Sequence, residues 1–194
     1  MKNVMREQPS VENGLTGATS TALFDSPVGP LFARTDAGVL IELAFARRAR
    51  RERLFNGPGA DHDPVMNALR TQMAEYFAGK RRVFDIPIRL IGPTFHLRVW
   101  NALLDIPYGT TMAYGEIACR IGEPDAARAV GAANGANPIV IIVPCHRVIG
   151  ANGRLVGFGG GLDRKQFLLD LESGRPTLGL GPPIGDIGMS PSAR

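Results

Sequence analysis

A thiol, an imidazole and a guanidinium stand side by side in Pro144-Cys145-His146-Arg147-Val148. They follow directly on Ile139-Val140-Ile141-Ile142-Val143, an apolar run that predicts a buried strand. A cysteine at the end of such a strand can present its sulfur at the mouth of a pocket. It becomes a nucleophile where a base or a positive field favours the thiolate. Free cysteine is also among the most buried residue types, so the thiol on its own reads first as a core residue. If residues 145 and 146 continue or just follow the strand, their side chains leave on opposite sides. His146 then does not touch the neighbouring sulfur, and a water between them would carry the proton from thiol to imidazole. Such a base needs a third group to orient it, and Glu172 is the candidate carboxylate. Arg147 either favours the thiolate by its charge or binds a carboxylate; the sequence leaves both roles open.

The elements that must position these groups divide the chain into three regions and a tail. Residues 1–20, rich in Ser, Thr, Gly and Asn, are expected to be disordered. Residues 21–90 form a small α+β unit. Ala22–Phe24, Leu31–Arg34 and Val39–Phe45 read as hairpin strands punctuated by Pro and Gly. The basic run Arg47–Arg53 reads as solvated surface. A helix is predicted from Asp63, its cap, to Ala78, with Val65, Leu69, Met73 and Tyr76 or Phe77 at helical spacing. Arg82–Ile88 predicts one more strand. No residue cluster here suggests chemistry, so this unit is expected to act as support.

Residues 91–174 change to helices with tight turns. Thr94 is predicted to cap a helix carrying Phe95, Val99 and Leu103. A short helix through Tyr114, Ile117 and Ile121, the turn Gly122-Glu123-Pro124, and a second helix from about Asp125 to Ala136 make a helix-turn-helix pattern. The second helix carries small side chains, which let a backbone approach a partner closely, and one long cation near its start, Arg128. Asn137-Pro138 then breaks the helix. Val156–Gly161 is nearly free of side chains, but Leu162 falls where the third glycine of a dinucleotide fingerprint belongs, so no such site is read. A last helix is expected over Asp163–Glu172, with Phe167, Leu168 and Leu171 as its apolar face. Residues 175–194, with many Gly and Pro, are expected to be loose.

Composition narrows the classes. With 44% hydrophobic and 21% charged residues the chain is of the globular type. Its net charge of +4 suits a polyanion without requiring one. Two cysteines, Cys119 and Cys145, make no disulfide framework and fit a reducing, cytoplasmic setting, with Cys119 expected in the core. Cysteines and histidines lack zinc-type spacing, so no metal is expected. Residues 1–20 lack the apolar core of a secretory signal, and no run of 18 apolar residues exists to span a membrane.

The order and spacing of several motifs resemble the O6-alkylguanine-DNA alkyltransferases, also called methylated-DNA–protein-cysteine methyltransferases. They are Phe95 with Val99-Trp100, Ile106–Thr110, Tyr114-Gly115, Ala127-Arg128-Ala129-Val130-Gly131, Asn137-Pro138, Pro144–Val148, Gly160-Gly161-Leu162, Lys165 and Glu172. The resemblance runs from about residue 93 to 172. The more variable residues 21–90 look like the family's ribonuclease-H-like domain.

That resemblance implies transfer of an alkyl group from O6 of guanine in double-stranded DNA, and from O4 of thymine, onto Cys145, irreversibly and once per molecule. It implies a flipped-out base, a monomer and no cofactor. His146 would act as base through water and Glu172 would orient it. Tyr114 would supply a proton to the leaving guanine or help rotate the phosphate. Arg128 would fill the vacancy in the duplex. Ala127, Ala129, Gly131 and Ala132 would line the minor-groove contact, and Asn137 would be a hinge. Pro144, Val148, Val140, Phe158, Gly159 and Gly160 would form the alkyl and base pocket. Val140 stands where some members have a second proline and Phe158 where tyrosine is common, with Gly159 offering only a backbone donor, so altered tolerance for bulky O6 substituents is expected; His96 stands where glutamine often follows Phe95, a departure that bears on local packing. Non-reacting DNA-binding relatives commonly replace the nucleophile with tryptophan, whereas Cys145 is intact here. A Cys-His hydrolase and a plain helix-turn-helix regulator are the other classes considered.

Overall fold

The computed structural model describes residues 19–46 and 62–177. The expected disordered N-terminus, the basic run at 47–53 and most of the tail lie outside these residues. Thr19 and Ser20, however, belong to the first strand.

Three antiparallel strands, β1 (Thr19–Phe24), β2 (Leu31–Asp36) and β3 (Val39–Phe45), form a sheet in chain order. Asp36 pairs with Val39 across the two-residue turn Ala37-Gly38, where both residues have positive φ (49° and 76°). That twist matches the flanking strands. Helix α1 (Pro64–Phe77) lies on the sheet and buries Leu69, Met73 and Tyr76 of the predicted stripe, with Met66 inward in place of the half-buried Val65 and Tyr76 rather than Phe77 inward. Asp63 caps it, accepting from the backbone N–H groups of Val65 and Met66 at 2.9 and 3.3 Å.

Arg82–Ile88 does not become the expected strand. It makes one bridge, Ile88 with Leu40. The Gln72 side chain takes the place of a strand neighbour, accepting from Asp85 N at 2.8 Å and donating to Asp85 O at 3.0 Å. Pro87 has no N–H to extend a ladder.

The remaining residues are mainly helical. Helix α2 (Thr94–Leu104) starts with Pro93 at the cap position; Thr94 is its first residue and makes no side-chain cap bond. Two-residue strand β4 (Met112–Ala113) leads into α3 (Tyr114–Arg120), and a turn leads on to α4 (Ala127–Gly135). Helices α2, α3 and α4 pack together. Trp100 donates to Ala133 O at 2.7 Å, and Arg98 fixes the turn by pairing with Glu123 at 2.6 Å. β4 lies parallel to β5 (Val148–Ile149), and α5 (Leu162–Glu172) ends the described core. Cys119 is exposed on α3 instead of buried, because Ile117 and Ala118 take the inward positions.

Candidate active site

The apolar run before Cys145 is buried but is not a strand. Ile139 bridges Leu43 of β3, and the chain then folds on itself: Val143 N donates to Ile139 O at 3.0 Å and Ile142 N to Val140 O at 2.9 Å. Ile141 sits at φ +73°, an uncommon conformation for a β-branched residue. The Asn137 side chain holds this knot from the end of α4, donating to Val143 O at 2.7 Å and accepting from Ile139 N at 3.0 Å. Cys145–Arg147 is then one turn of 3₁₀ helix. Successive side chains therefore fan out by roughly 120° instead of alternating as on a strand.

That fan sends His146 and Arg147 to one carboxylate. His146, Arg147 and Glu172 are all buried. Glu172 Oε1 receives His146 Nε2 at 2.9 Å, Arg147 Nη2 at 2.9 Å and the Tyr76 hydroxyl at 2.8 Å. Its Oε2 receives Arg147 Nε at 2.8 Å and Gly109 N at 3.1 Å. Five donors on a group with about four lone-pair directions leave no place for a proton. Burial alone would raise the carboxyl pKa, but the hydrogen bonds and charges of His146 and Arg147 outweigh it and hold Glu172 well below the usual range. Arg147 thus binds the carboxylate, in two-pronged geometry, and also donates to Ile106 O at 2.6 Å.

A permanently ionised Glu172 fixes the His146 tautomer, with hydrogen on Nε2 and the lone pair on Nδ1. Nδ1 is buried and has no hydrogen-bond partner among the described residues, so it is the atom free to take a proton. Burial also lowers the His146 pKa, against the pull of Glu172, which keeps the imidazole neutral.

Cys145 is buried, and that burial pushes its thiol up to about 11. The Asn137 side chain, the Lys165 ammonium and the backbone N–H groups of Cys145 and His146 pull the other way. The resting group is therefore a thiol that needs a base when it reacts. Tyr114 lies half-buried at the start of α3, with burial and the charge of Cys145 both raising its pKa. Its hydroxyl donates to Val156 O or Gly157 O at 3.2 and 3.3 Å, tethering the glycine-rich loop.

The structure brings Cys145, His146, Glu172, Tyr114 and Asn137 together, with Pro144 and Val148 buried beside them. Val140 and Phe158 are half-buried, and Gly159 is exposed on the loop. Arg128, Ala129 and Ala132 are exposed on α4, with Ala127 and Gly131 half-buried.

Sequence reasoning gave three further residues no role. Lys165 is buried, donates to Val156 O at 2.8 Å and is lowered to about 8 by burial, with Cys145 opposing. Asn134 donates to Cys145 O at 3.2 Å. Tyr76 brings a buried hydroxyl from the N-terminal unit, so that unit does more than support. The signal for Lys165 was present: residues 165, 168 and 172 share a helix stripe, and the buried face of α5 is Lys165, Phe167, Leu168 and Glu172, with Leu171 only half-buried. Two charges on an inward stripe mark a functional face.

Gly109 is a further sensitive point. Its φ is +73°, and an added Cβ would lie 2.9 Å from the Glu172 carbonyl oxygen. Gly109→Ala is expected to lower stability by about 1–3 kcal/mol and to slow the reaction of Cys145, read by thermal melting and by thiol alkylation rate.

Among the described residues no helix is long and apolar enough to cross a membrane, and no group of three or more His, Cys, Asp or Glu side chains could hold a metal.

Residues 94–174 match the 6-O-methylguanine DNA methyltransferase DNA-binding domain, and residues 20–90 match the ribonuclease-like domain of the same family. The methylated-DNA–protein-cysteine methyltransferase of Mycobacterium tuberculosis is 51% identical over 154 residues, covering 78% of this chain and 90% of that protein. The Methanosarcina acetivorans enzyme of the same name is 46% identical over 151 residues, covering 78% of this chain and 96% of its own. The crystal structure of Mycobacterium tuberculosis OGT in complex with DNA superposes with a TM-score of 0.70 at 48% identity, over 81% of this chain and 95% of that one. The chain belongs to the 6-O-methylguanine DNA methyltransferase family.

Proposed function

We propose that the protein repairs alkylated DNA directly, taking the alkyl group of O6-alkylguanine, and of O4-alkylthymine, onto Cys145. The observation that carries the reading is the buried Glu172–His146 pair behind Cys145, with His146 Nδ1 unpartnered. The thiol proton passes through a water to Nδ1 as sulfur attacks the alkyl carbon. The S–C bond forms, the C–O6 bond breaks, and guanine leaves with the electron pair. Guanine gains a proton from the Tyr114 hydroxyl, whose present bonds to the loop carbonyls are long enough to exchange, and the phenolate left behind is reprotonated through water by the proton that His146 took from the thiol. Lys165 and the backbone amides favour the developing thiolate. The thioether has no easy leaving group, so each molecule reacts once.

The target atom is hidden in a stacked duplex and has to be flipped out. We infer that the helix-turn-helix of α3 and α4 meets the minor groove. A Cβ on Gly131 would make only an ordinary 3.8 Å contact with the Tyr114 ring, so nothing among the described residues demands glycine there. Close approach of DNA does. Arg128, exposed near the start of α4, fills the space left by the extruded base, and Asn137 is the hinge between that helix and the nucleophile. The protein acts as a monomer in the cytoplasm, where both cysteines stay reduced.

The reading is tested on the DNA product. With O6-methylguanine duplex in excess, guanine restored should equal protein added and then stop. Continued turnover, or no restored guanine, sinks it. Arg128→Ala should slow duplex repair by about 10²-fold while leaving reaction with free O6-benzylguanine within about threefold. Equal loss on both substrates would remove Arg128 from the base-replacing role.

A further inference from the structure

Strand β3 reaches the reactive site from the N-terminal unit at two places. Leu43 N donates to Pro138 O at 2.9 Å, and Leu43 O accepts from Val140 N at 2.8 Å, so β3 fixes the segment leading to Cys145. Two residues on, Phe45 packs edge-on against Phe158, with ring centroids 5.8 Å apart and planes at 66°. A Cβ on Gly160 would lie 2.6 Å from the Phe45 ring and 2.9 Å from the Phe158 ring. The two rings and the Gly160 backbone are thus in contact with no room for one methyl group.

Arg164 closes the arrangement. Its guanidinium carbon lies 5.1 Å from the Phe45 centroid, while Nε donates to Val28 O at 2.6 Å and Nη1 to Gly160 O at 2.7 Å. It ties the β1–β2 turn to the glycine loop. Phe158 in turn is 6.0 Å from the Lys165 ammonium, which is equally far from the Tyr114 ring. Phe158 therefore stands against Lys165, whose charge acts on Cys145, and it is held there by a residue of the other unit.

We infer that Phe45 is a specificity-determining positioning residue: it presses Phe158 and Gly160 inward and so sets the width available to the O6 substituent. This rests on the alkyl-transfer reading. The loop Val156–Gly161 has too few side chains to hold itself, and an aromatic edge contact is the kind of restraint that locks a ring in one place. Shortening residue 45 lets the loop relax outward and admits a bulkier group, and pocket contacts of this size discriminate substrates by tenfold or more. Val140→Pro is a poor probe of the same pocket, because it deletes the N–H that binds Leu43.

The experiment uses the full chain as wild type, Phe45→Leu, Phe45→Met and Phe45→Tyr. Single-turnover alkylation of Cys145 is followed by intact mass, with duplexes carrying O6-methylguanine or O6-benzylguanine at one position. The benzyl-to-methyl rate ratio should rise about tenfold in Phe45→Leu and Phe45→Met, with methyl transfer within about threefold of wild type. Phe45→Tyr should keep the wild-type ratio. An unchanged ratio in a variant that still transfers methyl, or an equal fall in both rates, overturns the inference. Absence of any transfer by the wild type would instead sink the alkyl-transfer reading beneath it.

Discussion

Glu172→Gln is expected to cost about 3–5 kcal/mol of stability and at least ~10² in alkyl-transfer rate. The two losses share one cause. The carboxylate receives five hydrogen bonds, three of them from the paired groups His146 and Arg147. An amide offers an oxygen to some of these donors but turns its own N–H groups toward the others. It also leaves the buried Arg147 charge without an anion, and a buried charge stripped of its partner is strongly destabilising. For a chain of this length, 3–5 kcal/mol lowers Tm by roughly 10 °C. The rate falls because the amide no longer fixes the lone pair on His146 Nδ1.

The pH dependence checks the same assignment. Glu172 has a folded pKa below its unfolded value of about 4.3, so its contribution is fully present above that pH and is lost as pH falls through the acid range. His146, neutral and buried, has a folded pKa below about 6.5, so it too contributes above that value and loses its contribution as pH falls. The stability gap between wild type and Glu172→Gln should therefore be wide at pH 7, start to close only below about pH 4, and close further as pH falls toward the folded pKa. A variant melting within about 2 °C of wild type and reacting within about fivefold would show that Glu172 neither anchors nor orients the site.

His146→Asn is the second large effect. With the Cys145 thiol pushed up to about 11, only about one molecule in 10⁴ holds a thiolate at pH 7. A general base bypasses that small population by taking the proton as sulfur attacks, a contribution of about 10²–10⁴. The wild-type rate should stay nearly flat from just above the His146 pKa to about pH 8. Above that, Lys165, at about 8, loses the charge that favours the thiolate. The variant should react ~10²–10⁴ more slowly at pH 7, with a rate climbing about tenfold per pH unit toward the thiol pKa. A variant that keeps the flat profile would mean that another group takes the proton.

Much of this site was legible as sequence because its chemistry is packed into few residues. Cys145, His146 and Arg147 are adjacent, and Glu172 ends a helix. The sheet, α1 and the α3–α4 pair followed from hairpin punctuation, capping at Asp63 and helical spacing. Two expected strands are absent for a shared reason. Residues 139–143 and 82–88 have strand composition, but side-chain amides at Asn137 and Gln72 satisfy their backbones and release them from a ladder. Composition records burial and not which group supplies the hydrogen bonds. Tyr76 and Phe45 were illegible as site residues, since nothing local to an N-terminal helix or strand says that its end will rest on Glu172 or Phe158.

The most direct test of the central claim is intact-protein mass after incubation with a short duplex holding one O6-methylguanine, comparing wild type with Cys145→Ser. The account predicts a gain of one CH₂ in the wild type alone, saturating at one per chain, with Cys145→Ser unchanged but still bound to the duplex. A wild type that binds the duplex and gains no mass would make it a lesion-recognition protein, and one that neither binds nor gains mass would return Cys145 to the hydrolase reading.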